Sequence, residues 1–192
     1  MASPTPAAAP SAAIERAGRM NAANMVRSLL PLVVICLLIA AWTAFRQSGD
    51  TGVRTVDPST TVQLAAARAS YPLLAPDGLE EGFRPTSART DAGDAQDGDP
   101  VTLEIGYLTP GERFAGFVVS DDRRAEPLAD VLDGAREEGA VDIGGRTWTR
   151  STTEKGETAL SVEVAGAVVV VFGSAGDDEL ETVAAAVEPY ND

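Results

Sequence analysis

The residues whose types and spacing are best suited to chemistry are Arg146, Trp148 and Arg150, in the string GGRTWTR. Side chains two positions apart on a β-strand project from the same face, so these three share a face if the string is a strand. An exposed indole offers a platform for a sugar ring or a peptide, and guanidinium groups bind carboxylate or phosphate. The alternative is packing on an edge or half-open strand, with Arg stacked on Trp148. The spacing therefore indicates either a recognition patch or a packing arrangement.

Two residue types exclude most catalytic arrangements. The chain has no His, and its one Cys, Cys36, lies inside an apolar run. Ser-His-Asp triads, Cys-His dyads and zinc sites built from His or Cys are therefore excluded. Paired carboxylates remain, but the adjacent acids at 121–122 and 137–138 point apart on a strand or helix and cannot flank one bond. We expect no enzyme, with a carboxylate-dependent glycan hydrolase as the alternative.

Two acidic strings have the general layout of ligand sites without their detailed spacing. The run DAGDAQDGDP, residues 91–100, holds four Asp whose positions do not match a calcium loop of the EF-hand type. The string FGSAGDDELE joins a predicted strand to a helix, but three acids occupy the helix N-terminus that a phosphate would need. We predict a solvated loop and a capped helix here, and no metal or cofactor.

The charge is divided unevenly along the chain. Residues 1–46 contain four Arg and one Glu, whereas residues 47–192 contain eleven Arg or Lys against 28 Asp or Glu, a balance of −17. Nucleic acids and anionic lipid surfaces attract basic patches, so this acidic body argues against both as its ligands. A cationic partner is compatible with the charge.

The apolar segment SLLPLVVICLLIAAWTAFR, residues 28–46, is predicted to be a transmembrane signal-anchor helix. Eighteen uncharged residues separate Arg27 from Arg46, enough at about 1.5 Å per residue to span roughly 27 Å of bilayer. Pro31 fits the first turn, where its missing N–H is not needed. The anchor residues are Leu29, Leu30, Leu32, Val33, Val34, Ile35, Leu37, Leu38, Ile39, Trp42 and Phe45.

Two other uses of this segment fit less well, and the flanking Arg residues indicate its orientation. A cleaved signal needs small residues at A-x-A positions, which the string AAWTAF does not supply, and a lipoprotein needs a small residue where Ile35 precedes Cys36. Three Arg precede the uncharged run of residues 28–45 and two follow closely, at positions 46 and 54, which favours the N-terminus inside and the body outside.

The remaining sequence divides into a tail, a linker and one domain. Residues 1–27 are largely Ala, Pro and Ser and are predicted to be a disordered cytoplasmic tail, residues 47–56 a polar linker, and residues 57–192 an extracytoplasmic domain. Hydrophobic periodicity predicts helices over 57–70, 126–139 and 177–190. Alternation and turn signals predict strands over 73–76, 83–90, 101–108, 113–120, 140–152, 158–166 and 167–174.

This order of elements predicts an α+β fold with a single antiparallel sheet. Tight turns between most strands favour antiparallel neighbours, giving about six to seven strands with three helices packed on the sheet, preceded by one transmembrane helix. The run AVVVVFGS is apolar on both faces and is predicted to be a central strand.

The anchor, the string DPSTTVQLAAARASYPLLAPDGL, the strand GFRPTSART and the later GGRTWTR together resemble the actinobacterial membrane-protein family catalogued as domain of unknown function 4245. The resemblance covers nearly everything from the anchor to the C-terminus. It implies an envelope protein with an extracytoplasmic domain and supplies no activity.

Taken with the anchor, these observations predict a single-pass protein of the cytoplasmic membrane whose domain binds or scaffolds in the cell envelope. Its partners would be the bilayer, through residues 28–46, and an envelope protein or glycan, but no nucleic acid. An envelope sensor acting through a recruited partner is a further alternative.

Overall fold

The computed structural model describes residues 29–31, 33–37 and 54–191. Residues 53–192 form one compact unit, and residues 1–52 are a second unit. The predicted tail lies outside the described residues, as do linker residues 47–53 and most of the predicted anchor. Residues 29–31 and 33–37 are helical, with exposed side chains that include Leu30 and Leu37. Among the residues described, no helix has the length and hydropathy required to cross a bilayer.

Residues 54–191 form three helices and nine strands. The helices are α1 (Ser59–Arg68), α2 (Glu126–Leu132) and α3 (Asp177–Ala185). The strands are β1 (Leu74–Pro76), β2 (Arg84–Thr90), β3 (Thr102–Leu108), β4 (Phe114–Ser120), β5 (Arg136–Ile143), β6 (Arg146–Thr152), β7 (Thr158–Val164), β8 (Ala167–Gly173) and β9 (Val187–Pro189).

Seven of the strands form one antiparallel sheet in the order β2-β3-β4-β8-β7-β6-β5. The predicted antiparallel sheet with a few helices is therefore confirmed. Strand β8, the run AVVVVFG, is the fourth of the seven, and Val168 to Val171 are all buried. A strand that contacts apolar layers on both faces needs such a continuous apolar run, so the prediction of a central strand is also confirmed.

The two faces of the sheet are covered differently. One face, which we call the helical face, packs against α1, α3 and the short β1–β9 ribbon through residues such as Leu103, Phe117 and Val169. The opposite face, which we call the open face, packs against α2 through a smaller cluster that includes Val118, Leu128 and Val170. The unequal cover leaves strand surface on the open face available for contacts.

Helix α1 begins at Ser59, next to the start of the helix predicted over 57–70. Asp57 Oδ1 accepts a hydrogen bond from the Ser59 N–H at 2.9 Å, and this bond holds the pKa of the Asp57 carboxyl below its usual range. Pro58 directly precedes α1 with helical backbone angles, where its missing N–H costs nothing. The predicted start at residue 57 is therefore two residues early.

The predicted second helix and fifth strand need correction. The helix ends at Leu132, well before residue 139, and residues 136–143 form strand β5. The predicted strand over 140–152 is a hairpin of β5 and β6, turning at Gly144 and Gly145, which both have positive φ (58° and 75°). Two consecutive left-handed residues give the tight turn that reverses the chain.

The end of the predicted third helix is also different. Helix α3 ends at Ala185, and residues 187–189 form β9, which pairs with β1 instead of continuing as helix. Pro189 cannot donate a helical hydrogen bond, whereas the Tyr190 N–H donates to the Leu73 carbonyl at 2.8 Å. The strand predicted at 73–76 therefore belongs to this ribbon and not to the main sheet.

Candidate functional site

Trp148, the centre of the predicted recognition patch, lies in the core. Its side chain is fully buried on the helical face, and Nε1 donates a hydrogen bond to the Ile143 carbonyl at 3.3 Å. An aromatic platform must present a ring face to solvent, and Trp148 presents none. The placement therefore agrees with the packing arrangement that the spacing also allowed, and not with the exposed platform.

Arg146 and Arg150 lie on the same face as Trp148, as the spacing predicts, and both bind parts of this domain. Arg150 contacts Asp177 Oδ2 and Glu181 Oε1 of α3, each at 2.5 Å. Arg146 Nη1 donates to the Val187 carbonyl at 2.6 Å. The two guanidinium groups thus fasten α3 and β9 to strand β6, and they are occupied in holding the fold together.

A different group of residues comes together on the open face, beside α2. Gly106 of β3 and Gly116 of β4 are register partners, and the rings of Phe114 and Phe172 lie over them. A Cβ at Gly116 would lie 2.6 Å from Phe172 Cε1, and a Cβ at Gly106 would lie 3.1 Å from Phe114 Cε2. The glycine pair therefore makes room for two aromatic rings on the sheet.

The two rings are in edge-to-face contact and are partly available to a partner. Their centroids are 5.9 Å apart with an interplanar angle of 69°, the arrangement that aromatic quadrupoles favour. Phe114 is 41% exposed, and no other aromatic side chain of residues 54–191 is as exposed. An exposed ring held on a rigid sheet is a suitable anchor for a partner side chain.

Charged residues continue this surface toward the start of α2. Arg89 and Glu104 are register partners on β2 and β3, and they line both a cavity of about 230 Å³ beside the rings and one of about 360 Å³ beside α2. The second cavity is also lined by Asp91, Asp122 and Glu126. We call the continuous surface the open-face groove: aromatic at one end, ionic in the middle and acidic at the other.

Glu104 has an unusual electrostatic environment in this groove. Burial raises the pKa of its carboxyl above the usual range, Asp91, Asp130 and Glu126 raise the pKa further by repulsion, and Arg89 opposes the shift. A shifted carboxyl in a cleft is typical of functional sites, although structural networks also produce such shifts. A cationic ligand beside Glu104 would offset the repulsion from these neighbouring carboxylates.

We expect Glu104→Gln to raise the free energy of unfolding at neutral pH by up to about 1 kcal/mol. Folding raises the pKa of Glu104, so the folded chain binds this proton more tightly than the unfolded chain does. As the pH rises through the raised pKa and the carboxyl ionises, the free energy of unfolding therefore falls. In urea unfolding, the difference in free energy of unfolding between Glu104→Gln and the wild type should grow from pH 4 to pH 7.5. Glu80→Gln, at an exposed loop position, serves as the control, and a Glu104→Gln effect that is destabilising or independent of pH would contradict the expectation.

The acidic strings considered from the sequence serve local structure. Asp91 Oδ1 accepts from the Thr102 N–H at 2.7 Å, and Asp121 Oδ1 accepts from the Val101 N–H at 3.0 Å. Glu179 Oε1 accepts from the Gly111 N–H at 2.8 Å, a bond that ties α3 to the β3–β4 turn and holds the pKa of Glu179 below its usual range. In the part of the chain that the structure describes, no group of three or more His, Cys, Asp or Glu is arranged to hold a metal ion.

Sequence reasoning missed the open-face groove, although the sequence contains a signal for it. Gly106 and Gly116 each stand in the middle of a strand, in EIGYL and FAGFV. A glycine inside a strand weakens it and marks a bulge or a place where another group approaches closely. Here the approaching groups are the Phe114 and Phe172 rings together with the Ser87 hydroxyl, so these two glycines, read together, would have indicated the site.

Comparison with known proteins places the chain in one family. The model of the family described as "Protein of unknown function (DUF4245)" matches residues 18–187. Neither the curated proteins nor the solved structures include a match. The resemblance noted from the sequence is confirmed, and it covers most of the chain.

Proposed function

Because the chain belongs to the DUF4245 family, whose function is unknown, its role must be argued from its own residues, and we propose that it is a membrane-anchored binding protein of the bacterial cell envelope. In this proposal residues 28–46 hold the chain in the cytoplasmic membrane, with the N-terminus inside. The domain lies outside and binds a polypeptide partner through the open-face groove.

The support for the anchor comes from the sequence between Arg27 and Arg46. Its eighteen uncharged residues match the thickness of a bilayer core, and Trp42 stands near the far end, where indoles favour the interface. The excess of Arg before the segment supports the proposed orientation.

Membrane extraction tests the anchor. After alkaline carbonate treatment of membranes, we expect the full-length chain to remain in the pellet, because a retained apolar helix is not released by loss of electrostatic contacts. Protease added to spheroplasts should digest the domain and spare residues 1–27. Release into the supernatant, or a mature N-terminus between Ala41 and Phe45, would contradict the anchor, and a protected domain would reverse the topology.

The open-face groove is the observation that carries the binding proposal. It combines the exposed aromatic ring of Phe114 with the carboxyl of Glu104, whose pKa is raised by burial and by neighbouring carboxylates. Both lie on a sheet whose other face packs against two helices. Interfaces concentrate their energy in aromatic anchors surrounded by polar groups, and this groove has that composition. Its acidic end, together with the acidic body, fits a partner segment that places Lys or Arg beside an apolar side chain.

We expect Phe114→Ser to reduce recovery of the partner about tenfold, because truncating an aromatic anchor at an interface costs at least about 1.4 kcal/mol. Cells would be crosslinked with formaldehyde and the tagged full-length chain purified. Leu64→Ser provides a matched control, since Leu64 is 40% exposed on α1 and Phe114 is 41% exposed on the open face. Equal recovery from both variants, measured at unchanged melting temperatures, would contradict the role of the groove.

A second candidate, a carboxylate-dependent glycan hydrolase, is favoured by the raised pKa of Glu104. A general acid needs such a shift, and Asp91 and Asp122 line the same cavity. Release of reducing ends from purified cell-wall glycan, abolished by Glu104→Gln, would favour the enzyme. If the protein is added in excess over the glycan and no reducing ends are released, the result would favour the binding protein.

A further inference from the structure

A second cavity lies on the helical face, between the start of α1 and the β1–β9 ribbon. Its volume is about 300 Å³, and its floor is formed by Val62, Ala75 and Ile105, which are all at least 90% buried. Cavities of roughly this size with an apolar floor are the usual form of small-ligand sites in proteins. We call it the ribbon pocket, and it faces away from the open-face groove because Ile105 and Glu104 point to opposite faces of β3.

Proline residues and main-chain hydrogen bonds restrict the walls of the ribbon pocket. Three Pro line it, at positions 58, 76 and 189, and Tyr190 adds an aromatic ring. Hydrogen bonds from the Asp77 N–H to the Ala186 carbonyl at 2.9 Å and from the Tyr190 N–H to the Leu73 carbonyl at 2.8 Å hold the ribbon at both ends. A pocket with fixed walls loses little conformational entropy when a ligand enters, so even a small ligand can bind.

The rim of the ribbon pocket is acidic. Asp57, Asp77 and Glu188 line it, and its lining includes no Lys or Arg among the described residues. Asp57 Oδ1 accepts from the Ser59 N–H at 2.9 Å and Asp77 Oδ1 from the Gly78 N–H at 2.8 Å, which orients both carboxylates without neutralising them. An anion would be repelled from this rim, and a neutral apolar ligand would leave the carboxylates without a partner.

We propose that the ribbon pocket binds a primary ammonium group carried on a short alkyl chain, the chemistry shared by an aliphatic diamine and a lysine side chain. The alkyl chain packs on Val62, Ala75 and Ile105 while the ammonium group lies among the rim carboxylates. Tyr190 also lines the pocket, and its ring offers the ammonium group a cation–π partner. This site is independent of the open-face groove and of the function proposed for it.

A ligand titration tests the proposal with the full chain in nanodiscs of phosphatidylcholine, a lipid without net charge. Ligand-observed NMR would follow 1,5-diaminopentane, its uncharged analogue 1,5-pentanediol, and Nα-acetyl-lysine methylamide. We expect saturable binding of the diamine or of the lysine derivative. The diol should bind at least about fivefold more weakly, because it cannot form the ion pair and one exposed ion pair contributes about that much affinity. Comparison of the two amines shows whether a free diamine or a lysine side chain is the better ligand.

Paired amide variants separate the pocket from general attraction to an acidic surface. Asp77→Asn with Glu188→Gln should weaken amine binding about fivefold or more, because it removes two charges at the rim and keeps the side-chain shapes. Asp94→Asn with Asp97→Asn removes two charges from the exposed loop at 91–100 and should leave binding unchanged. Equal losses in both pairs, equal binding of diol and diamine, or no saturable amine binding would overturn the proposal.

Discussion

Replacing Trp148 by Ala is expected to lower the free energy of unfolding by ~3–5 kcal/mol, a large part of the total stability of an ordinary domain. Trp148 is fully buried on β6, opposite Val141, and it is among the largest buried side chains of the core. Truncation would leave a cavity and remove the donor to the Ile143 carbonyl. Urea unfolding followed by circular dichroism would measure the loss.

Trp148→Phe separates packing from the hydrogen bond. It keeps most of the buried aromatic area and removes the indole N–H, so we expect a loss smaller than that of Trp148→Ala. If Trp148→Ala left stability within about 0.5 kcal/mol of the wild type, the range of an ordinary surface substitution, the buried placement of Trp148 would be wrong. The exposed platform would then return as the better interpretation of Arg146, Trp148 and Arg150.

Replacing Gly173 by Ala is expected to lower the free energy of unfolding by about 2–3 kcal/mol. Gly173 ends β8 with φ of +145°, and a Cβ there would lie 2.3 Å from the Phe114 carbonyl oxygen. The obstacle is backbone, which cannot move aside as a flexible side chain can, and the same carbonyl accepts a hydrogen bond from the Ala175 N–H at 3.0 Å. The substitution would therefore displace β4 at Phe114, whose ring lies in the open-face groove.

The matched control for this substitution is Gly93→Ala. Gly93 has no positive φ and no atom within 4 Å of an added Cβ, so we expect a change within about 0.5 kcal/mol. The melting temperatures of the two variants, measured by calorimetry, give the comparison. Equal melting temperatures would show that β8 and β4 do not approach as closely as the Gly173–Phe114 contact requires.

Much of the fold followed from hydrophobic patterning in the sequence. Strand β8 could be predicted as central because Val168 to Val171 are apolar without alternation, and β3 because Leu103, Ile105 and Tyr107 alternate with other residues. The predictions failed where local and tertiary preferences differ. Helical spacing at Leu132 and Ala135 continued the pattern of α2 past its end, although the chain leaves the helix at Asp133, whose ψ is 128°, and Gly134 follows with a positive φ of 72°.

The candidate site was harder to predict because it depends on neighbouring strands. Spacing correctly put Arg146, Trp148 and Arg150 on one face, but period-2 alternation cannot say which face meets the helices. That choice depends on tertiary packing: Trp148 is buried among core residues from other elements, and Asp177 and Glu181 of α3 bind Arg150 from about thirty residues away in the chain. The open-face groove likewise arises only when β3 lies beside both β2 and β4.

The most direct test of the binding role is photocrosslinking in intact cells. A photoreactive phenylalanine would replace Phe114 in one full-length chain and Leu64 in another, two positions of nearly equal exposure on opposite sides of the sheet. We predict a discrete adduct from position 114, whose crosslinked peptide carries Lys or Arg, and none of comparable yield from position 64. Equal adducts from both positions, or none from position 114, would contradict the proposal that the open-face groove binds an envelope partner.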